Sequence, residues 1–234
     1  AALAEARGYE SIAAIVADYA WGRSVQSAIE ATFAVDVNVQ VAPVSESDFS
    51  TYVRRIPDDV GMVVTSGHPP GVLTITQQLY ELGYDPEVVT GSSFPPDVVR
   101  SALGADADRG FTPVHLADPY SDEFAEVAAR YAQSVGEQFN THTAHGYVTG
   151  KLIAQAIENA GAADPQAVTE ATREIEFDTL FANPIQYVDS GELENQIQLY
   201  STLSLDAPSY YSEGNYSYNE VFRTDPLPAL PADQ

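Results

Sequence analysis

The chain has 234 residues, of which 44% are hydrophobic, and it contains no apolar run near the roughly 20 residues that a membrane-spanning helix needs. Its length allows one large domain or two small ones with a buried core, and the absence of cysteine excludes disulfides and thiolate chemistry. With 34 acidic residues against 10 basic ones the net charge is −24, which opposes binding to nucleic acid phosphates.

The acidic residues are scattered along the chain, and Lys151 is the only lysine. Carboxylates spread in this way repel one another in dilute buffer, and salt screens the repulsion. The composition resembles that of proteins from salt-loving archaea. We therefore expect a halophilic source and a fold whose stability rises with salt.

The first predicted unit is a strand followed by a helix. Residues Ile12–Ala17 form an apolar run of strand length that Asp18 ends. The apolar residues that follow recur at every fourth position, as on one face of a helix: Trp21, Val25, Ile29 and Phe33. A second strand is predicted over 37–43, and then a short helix that Ser47 or Asp48 caps.

The same alternation continues to residue 116. Strands are predicted over 62–64, 87–90 and 109–116, with helices over 72–83 and 95–103 and a loop over 65–71. This order indicates an α/β protein with a parallel sheet and flanking helices. In such a sheet the loops after the strands line the crevice in which ligands bind.

The second half is predicted to be mainly helical. Helices are expected over 121–135, 144–160 and 164–174, and the second of them should turn four apolar residues inward: Val148, Leu152, Ile153 and Ile157. A hairpin is expected over 185–203 with its turn at 189–191. The tail from Asp206 is rich in tyrosine and proline and is expected to lie extended on the surface.

Several segments resemble one protein family. DYAWGRS, SGHPPGVLTITQQLYELGY and TGSSF occur in this order, followed by HTAHGYVTGKLIAQAIENAG and FANPIQYVDSGELENQIQLYS. Together they resemble the solute-binding proteins of branched-chain amino acid and amide ABC transporters, which have the type I periplasmic binding protein fold. The resemblance covers about residues 8–204.

The resemblance implies two lobes. Residues 1–116 and 203–234 would form an α/β ligand-binding lobe, and 117–202 the helical and hairpin part of the other lobe, with a hinge near 117 and 200. The family normally has an earlier βα stretch in the core of its first lobe. We therefore expect that lobe to be incomplete here and the chain to be a fragment or an incomplete record.

Six residues in the loops or at the strand ends are candidates for ligand binding: Tyr19, Trp21, Ser66, His68, Ser93 and Phe94. Trp21 either forms a wall of the cleft, as an aromatic residue does in the resembling family, or starts the helix as a core residue. His68 either contacts the ligand or is a structural or surface histidine. The prolines after His68 stiffen its loop, which favours a preformed site.

The chemistry of the ligand is narrowed by Ser93. Amino-acid binders of the family usually place a carboxylate about here to hold the ligand's ammonium group, and a buried ammonium without a partner is costly. An amide, a urea-like compound or a carboxylate is therefore expected to suit the site better than a plain aliphatic amino acid. Asp18 could supply the missing charge, or could be a helix cap.

Other motifs give little information about function. His142 and His145 share a helical face, but no third ligand stands at a recognised metal spacing, and no cofactor is implied. Catalytic motifs such as Gly-x-Ser-x-Gly, a phosphate loop or HExxH are absent from the sequence. Asn215 begins a glycosylation sequon, which matters only if the tail is exposed outside the cell.

The resemblance implies a non-catalytic, extracellular solute-binding protein, a lipoprotein anchored at the cell surface through a tether outside this chain. It would capture a small molecule by hinge closure and deliver it to the permease of an ABC transporter. One alternative is the ligand-binding sensory domain of a receptor or regulator. The alternative of a different class is an enzyme acting on a small molecule, since a fold alone does not fix function.

Overall fold

The computed structural model describes residues 1–66, 69–204 and 217–229. The described chain divides into two compact units. The first holds Ala1–Val114 with Tyr200–Phe222, and the second holds His115–Leu199 with the described residues from Arg223 onward. Residues 223–229 thus group with the second unit, whereas the sequence led us to expect all of 203–234 in the first. Hinge motion between lobes stays a prediction.

A seven-stranded sheet organises the fold, in the order β2-β1-β3-β4-β5-β6-β7. Its strands are β1 Ile12–Ala17, β2 Val37–Ala42, β3 Met62–Ser66, β4 Glu87–Thr90, β5 Phe111–His115, β6 Leu199–Ser204 and β7 Ser217–Arg223. The first five strands pair in parallel, and Val16 of β1 stands beside Val41 on one side and Ser66 on the other. The expected α/β class with a parallel sheet and flanking helices is confirmed.

Helices connect the strands of the first unit, and three of the described helices lie in the second. The helices are α1 Ala2–Arg7, α2 Ala20–Thr32, α3 Ser50–Val53, α4 Pro69–Glu81, α5 Pro96–Leu103, α6 Asp122–Val135, α7 Thr141–Ala160 and α8 Pro165–Arg173, with a short 3₁₀ turn at Gly104–Asp106. Of the helices described, none is both long enough and apolar enough to cross a membrane.

The core of the first unit lies on both faces of the sheet. On one face, Ile15, Val63 and Phe111 of the strands pack with Leu79 of α4 and Val99 of α5. On the other face, Ala14 and Val16 of β1 form a smaller cluster with Ile29 of α2. The partly buried side chains of Val25 and Phe33 pack against this cluster. Alternate residues of each strand supply the two clusters because successive side chains point to opposite faces.

Strand β3 is longer than the sequence suggested. Thr65 and Ser66, expected in the loop, continue the ladder opposite Ile15 and Val16 of β1 and are buried. Helix α4 also begins earlier than expected, at Pro69. The polar side chains of Thr65 and Ser66 suggested that the strand ends at Val64. Pairing with β1 gives the backbone groups of both residues hydrogen-bonding partners, so they remain in the strand.

The buried stripe of α7 differs from the predicted one. Val148 and Leu152 face inward as expected, but Ile153 and Ile157 are 49% and 36% exposed. The other inward positions are Ala144 and Ala156, which extend the same every-fourth-residue row. Each isoleucine lies one residue, about 100°, further round the helix and therefore outside the row.

The expected hairpin and tail are corrected in part. The turn at 189–191 is present, with Gly191 at φ +87° and the amide of Val188 donating to Glu192 O at 2.9 Å. The following strand Leu199–Ser204, however, joins the seven-stranded sheet. Part of the tail is also a strand, β7, whose Tyr218 is buried and donates its hydroxyl to Phe94 O at 2.7 Å.

Candidate functional site

The loops after β1 and β4 meet at the carboxyl ends of the parallel strands in the first unit. Gly22 fixes the first of them, because a Cβ built at this residue would lie 1.9 Å from the carbonyl oxygen of Ala17. The first turn of α2 is therefore pressed directly against the end of β1. This close approach places Tyr19 and Trp21 on the two sides of the strand-to-helix junction.

Trp21 lies outside the core. Its side chain is 39% exposed, and a Cβ built on Gly91 after β4 would lie 3.8 Å from its Cζ2 atom. Tyr19, 37% exposed, meets Trp21 edge to face with ring centroids 6.2 Å apart. The expectation that Trp21 starts the helix as a core residue is therefore wrong, while its contact with a ligand stays a prediction.

Asp18 is already engaged. Its Oδ1 accepts from Nη2 and Nε of Arg23 at 2.7 Å and 3.0 Å, and its backbone amide donates to Ala42 O at 2.7 Å. The residue that caps α2 is Tyr19, without a side-chain hydrogen bond to the helix. Asp18 is therefore not the cap, and the guanidinium offsets the charge that a ligand ammonium would need.

The remaining predicted residues separate into three groups. Ser66 and Ser93 lie at or after the ends of β3 and β4, buried and half-buried respectively. Phe94 does not reach the site surface, because its ring is 3% exposed and packs on Phe111 with centroids 5.5 Å apart. His68 lies outside the described residues.

Two residues at this edge were missed by sequence reasoning. Gly91 is exposed and carries no side chain beside the indole of Trp21. Arg23 stands one helical turn after Tyr19, whose carbonyl accepts its amide hydrogen, and this spacing places its guanidinium beside Asp18. The spacing of five residues between Asp18 and Arg23 across a helix start could have indicated the ion pair. Nothing in the local sequence indicates that Gly91 lies beside Trp21.

A pocket of about 90 Å³ opens at the carboxyl ends of β1, β2 and β3. Its walls are mainly apolar and include Ile15, Val44, Phe49, Val72 and Ile75. Two polar side chains, Ser66 and Glu46, also line the pocket. The sequence predicts a pocket at the ends of these strands and names Ser66, but it does not indicate the apolar walls, which come from separate elements.

Burial lowers the pKa of two histidines of the second unit, His115 and His145. His115, at the end of β5, is 1% exposed, and its pKa is lowered to about 3 mainly by burial and further by the nearby His145. Burial, and to a smaller extent His142, also lowers the pKa of His145, whose ring meets Phe181 edge to face at 6.0 Å. Within the described residues no group of three or more His, Asp or Glu side chains could hold a metal ion.

The strand order and the parallel strands of the first unit are those of the type I periplasmic binding protein fold, of which the chain covers only a part. The family described as "Periplasmic binding protein" matches residues 1–203, and the chain belongs to that family. The resemblance noted in the sequence is thereby confirmed.

Among relatives, the Leu/Ile/Val-binding protein homolog 1 of Brucella abortus is 26% identical over 132 residues, which are 56% of this chain and 35% of that protein. The chain therefore spans only about a third of this relative's length.

Solved structures agree on the fold. The closed form of a leucine-, isoleucine-, valine-, threonine- and alanine-binding protein from Brucella ovis gives a TM-score of 0.79 at 17% identity, covering 97% of this chain and 61% of that one. A solute-binding protein of an ABC transporter from R. palustris, in complex with 4-hydroxybenzoate, gives 0.78 at 18% identity, with 97% and 63% covered.

Proposed function

We propose that this chain belongs to the solute-binding component of an ABC importer and forms much of its ligand site. The observation that carries the proposal is the exposed indole of Trp21 beside Gly91, at the crevice edge of a parallel sheet in a periplasmic binding protein family member. Two exposed aromatic rings that meet at a crevice offer a flat apolar surface on which a ligand could pack. The component would act by binding and release and would catalyse no reaction.

The proposed ligand is a small polar organic molecule: an amide, a urea-like compound, a carboxylate or an amino acid. The pairing of Asp18 with Arg23 at 2.7 Å and the serine at position 93 both weigh against an ammonium site in the described part of the crevice. Tyr19 and Trp21 could pack on a planar or aliphatic group, and Ser66, Ser93 and His68 could hydrogen-bond polar atoms. The similar proteins from B. ovis and R. palustris bind amino acids and 4-hydroxybenzoate respectively.

The family suggests both a cellular location and a partner protein. Membership of the periplasmic binding protein family implies a location outside the cytoplasmic membrane, and we propose a lipid tether beyond this chain. The solute would be held between two lobes that close about segments near residues 117 and 200. The closed form, rather than the solute alone, would be recognised by the membrane permease.

The test is calorimetry on the full-length protein with a panel of amides, urea, small carboxylates, benzoates and aliphatic amino acids. We expect a polar ligand without an ammonium group to bind best, and leucine, isoleucine and valine to bind more weakly than about 100 μM. Trp21→Ala should weaken the best ligand by roughly 1–3 kcal/mol if the indole stacks on it.

The matched control is Val98→Ala, which removes an apolar side chain that is 44% exposed on α5 of the same unit. This variant should bind with unchanged affinity. Equal affinity in Trp21→Ala and the parent would remove the indole from the site. Micromolar binding of leucine would mean that another anion supplies the charge.

A further inference from the structure

The chain passes between the two compact units at three points, after Val114, after Leu199 and after Phe222. The strands at these three crossings, β5, β6 and β7, are neighbours in the sheet. Any motion of one unit against the other must therefore bend the three crossings. The contacts that join the crossings to one another decide how independently they bend.

The first crossing is held soon after β5 ends at His115. Ala117 pairs with Phe181 in an isolated antiparallel bridge, and the amide of Asp118 donates to Leu180 O at 2.7 Å. All of these residues belong to the second unit. A single residue separates the end of the strand from the first paired residue, so little free chain is left to bend here.

The second and third crossings are joined directly. The amide of Thr224 donates to Gln198 O at 3.0 Å, and the amide of Gln198 donates to the hydroxyl of Thr224, also at 3.0 Å. Thr224 is buried, so water competes little for these two hydrogen bonds. A bridge between Gln196 and Leu227 continues the same contact.

Arg223 joins the third crossing to the first. Its Nη2 donates to Oδ2 of Asp118 at 2.9 Å, and Oδ1 of Asp118 accepts the amide of Tyr120 at 3.0 Å. The side chain of Asp118 is only 11% exposed, whereas that of Arg223 is 37% exposed. A nearly buried carboxylate that loses its cation still bears the cost of its desolvation, so the pair resists separation.

We propose that the ion pair of Asp118 with Arg223 makes the three crossings bend together, so that the solute-free lobes sample a narrow range of angles. Both are positioning residues, which act through the backbone of the crossings. A narrow range reduces the conformational entropy that is lost when the lobes close on a solute, and so favours capture. This use of the pair rests on the lobe closure proposed above, whereas the coupling itself needs no solute.

The experiment measures the distance between two nitroxide labels in the full-length protein without solute. The labels are attached at Ser101→Cys on α5 and Gln133→Cys on α6, two exposed positions in different units. Asp118→Asn and Arg223→Gln should each broaden the distance distribution relative to the parent. The double variant should broaden it no further than either single one, because both changes break the same pair.

The matched control is Arg109→Gln, which removes ion pairs with Asp85 and Asp106 within the first unit. This variant loses the same charge as Arg223→Gln but should keep the width of the parent distribution. Arg223→Gln also keeps the test decisive if Asp118→Asn folds poorly, since the arginine is the more exposed partner.

Amide hydrogen exchange gives a second readout. In Asp118→Asn, exchange at the amides of Gln198 and Thr224 should be about threefold to tenfold faster, although the substitution lies on a different crossing. Unchanged widths in both single variants, additive broadening in the double variant, or unchanged exchange at these amides would overturn the proposal. A parent whose mean distance is shortened by no solute of the calorimetry panel would contradict the transport role alone, because the coupling is measured without solute.

Discussion

Single residues at the ends of the strands decide how the crevice is built. Gly22 is the clearest case, because the carbonyl of Ala17 occupies the space that any Cβ would need. The aromatic pair Tyr19 and Trp21 comes just before it, at the start of α2. A glycine in the first turn of a helix is easily read as a flexible residue, but here it is a packing requirement.

We predict that Gly22→Ala lowers the free energy of unfolding by about 3 kcal/mol or more, since its Cβ would overlap a backbone oxygen that has no room to move. The matched control is Gly146→Ala on the exposed face of α7, where nothing lies within 4 Å of the added Cβ. That change should raise stability by about 0.5–1 kcal/mol, as alanine for glycine within a helix does. Denaturant unfolding of both variants measures the difference, and equal effects would contradict the close approach.

Buried His115 predicts a pH dependence of stability. Its folded pKa of about 3 lies below the ordinary value of 6.5, so the unfolded chain binds the proton more readily. The stability linked to this group is present above about pH 6.5 and is lost as the pH falls towards 3. Between pH 6.5 and 5 the parent should lose about 1.5 kcal/mol more than His115→Gln, which cannot titrate.

The control for that experiment is Thr149→Ala, which replaces an exposed residue of α7 whose side chain does not titrate. Unfolding curves measured at both pH values should give the same loss for this variant as for the parent. A His115→Gln variant with the parent's full loss would show that carboxylates, rather than the buried imidazole, set the pH dependence in this range.

At the scale of elements, the sequence predicts what is local and misses what is distant. Strands β1 and β4 have the expected bounds because apolar runs of strand length stand between clear breaks. Helices α5 and α8 begin at Pro96 and Pro165, as proline at a first turn indicates. Strand β7 was read as surface tail, since nothing in its residues indicates the sheet edge that it joins.

At the candidate site, too, the sequence predicts local features but not contacts between distant elements. The loops after β1 and β4 lie at the carboxyl ends of their strands, as the parallel order predicts, while ligand binding there stays a prediction. The closeness of Trp21 to Gly91 was not foreseen, since it depends on elements far apart in sequence. Phe94 was misjudged because loop position alone does not tell whether an aromatic ring points to solvent or to the core.

Helix α7 carries a prediction of its own. Asn140 accepts the amides of His142 and Thr143, and Thr143 Oγ1 accepts the amide of Asn140 in return, which closes a capping box. Asn140→Ala should lower the free energy of unfolding by about 1 kcal/mol. Asn159→Ala, an exposed asparagine of the same helix away from this cap, should change it by less than about 0.5 kcal/mol. Equal losses by thermal unfolding would argue against the capping role.

For the whole molecule, charge is the dominant feature. The net charge of −24 is carried by a chain in which the structure describes only a few ion pairs, most of them exposed, such as Arg109 with Asp85 and Asp106. Exposed pairs of this kind contribute little, so they cannot offset the repulsion among the remaining carboxylates. The molecule should therefore depend on its solvent for stability.

We predict that the melting temperature rises by many degrees between dilute buffer and molar KCl, because counterions screen the repulsion among carboxylates. The same titration with a non-ionic osmolyte at equal osmolality is the control and should give a smaller rise. A flat or falling melting temperature with KCl would remove the expectation of a halophilic source.

The open space at Gly91 bears on how the crevice could differ among related chains. Its backbone is not in a glycine-only conformation, and an added Cβ would make only ordinary contact, 3.8 Å from the indole of Trp21. Larger side chains are therefore compatible with the backbone at position 91, and each would narrow the space beside the indole by a different amount. Related chains could thus differ in the size of solute they accept through substitution at position 91 alone, without a change in the sheet or in helices α2 and α5.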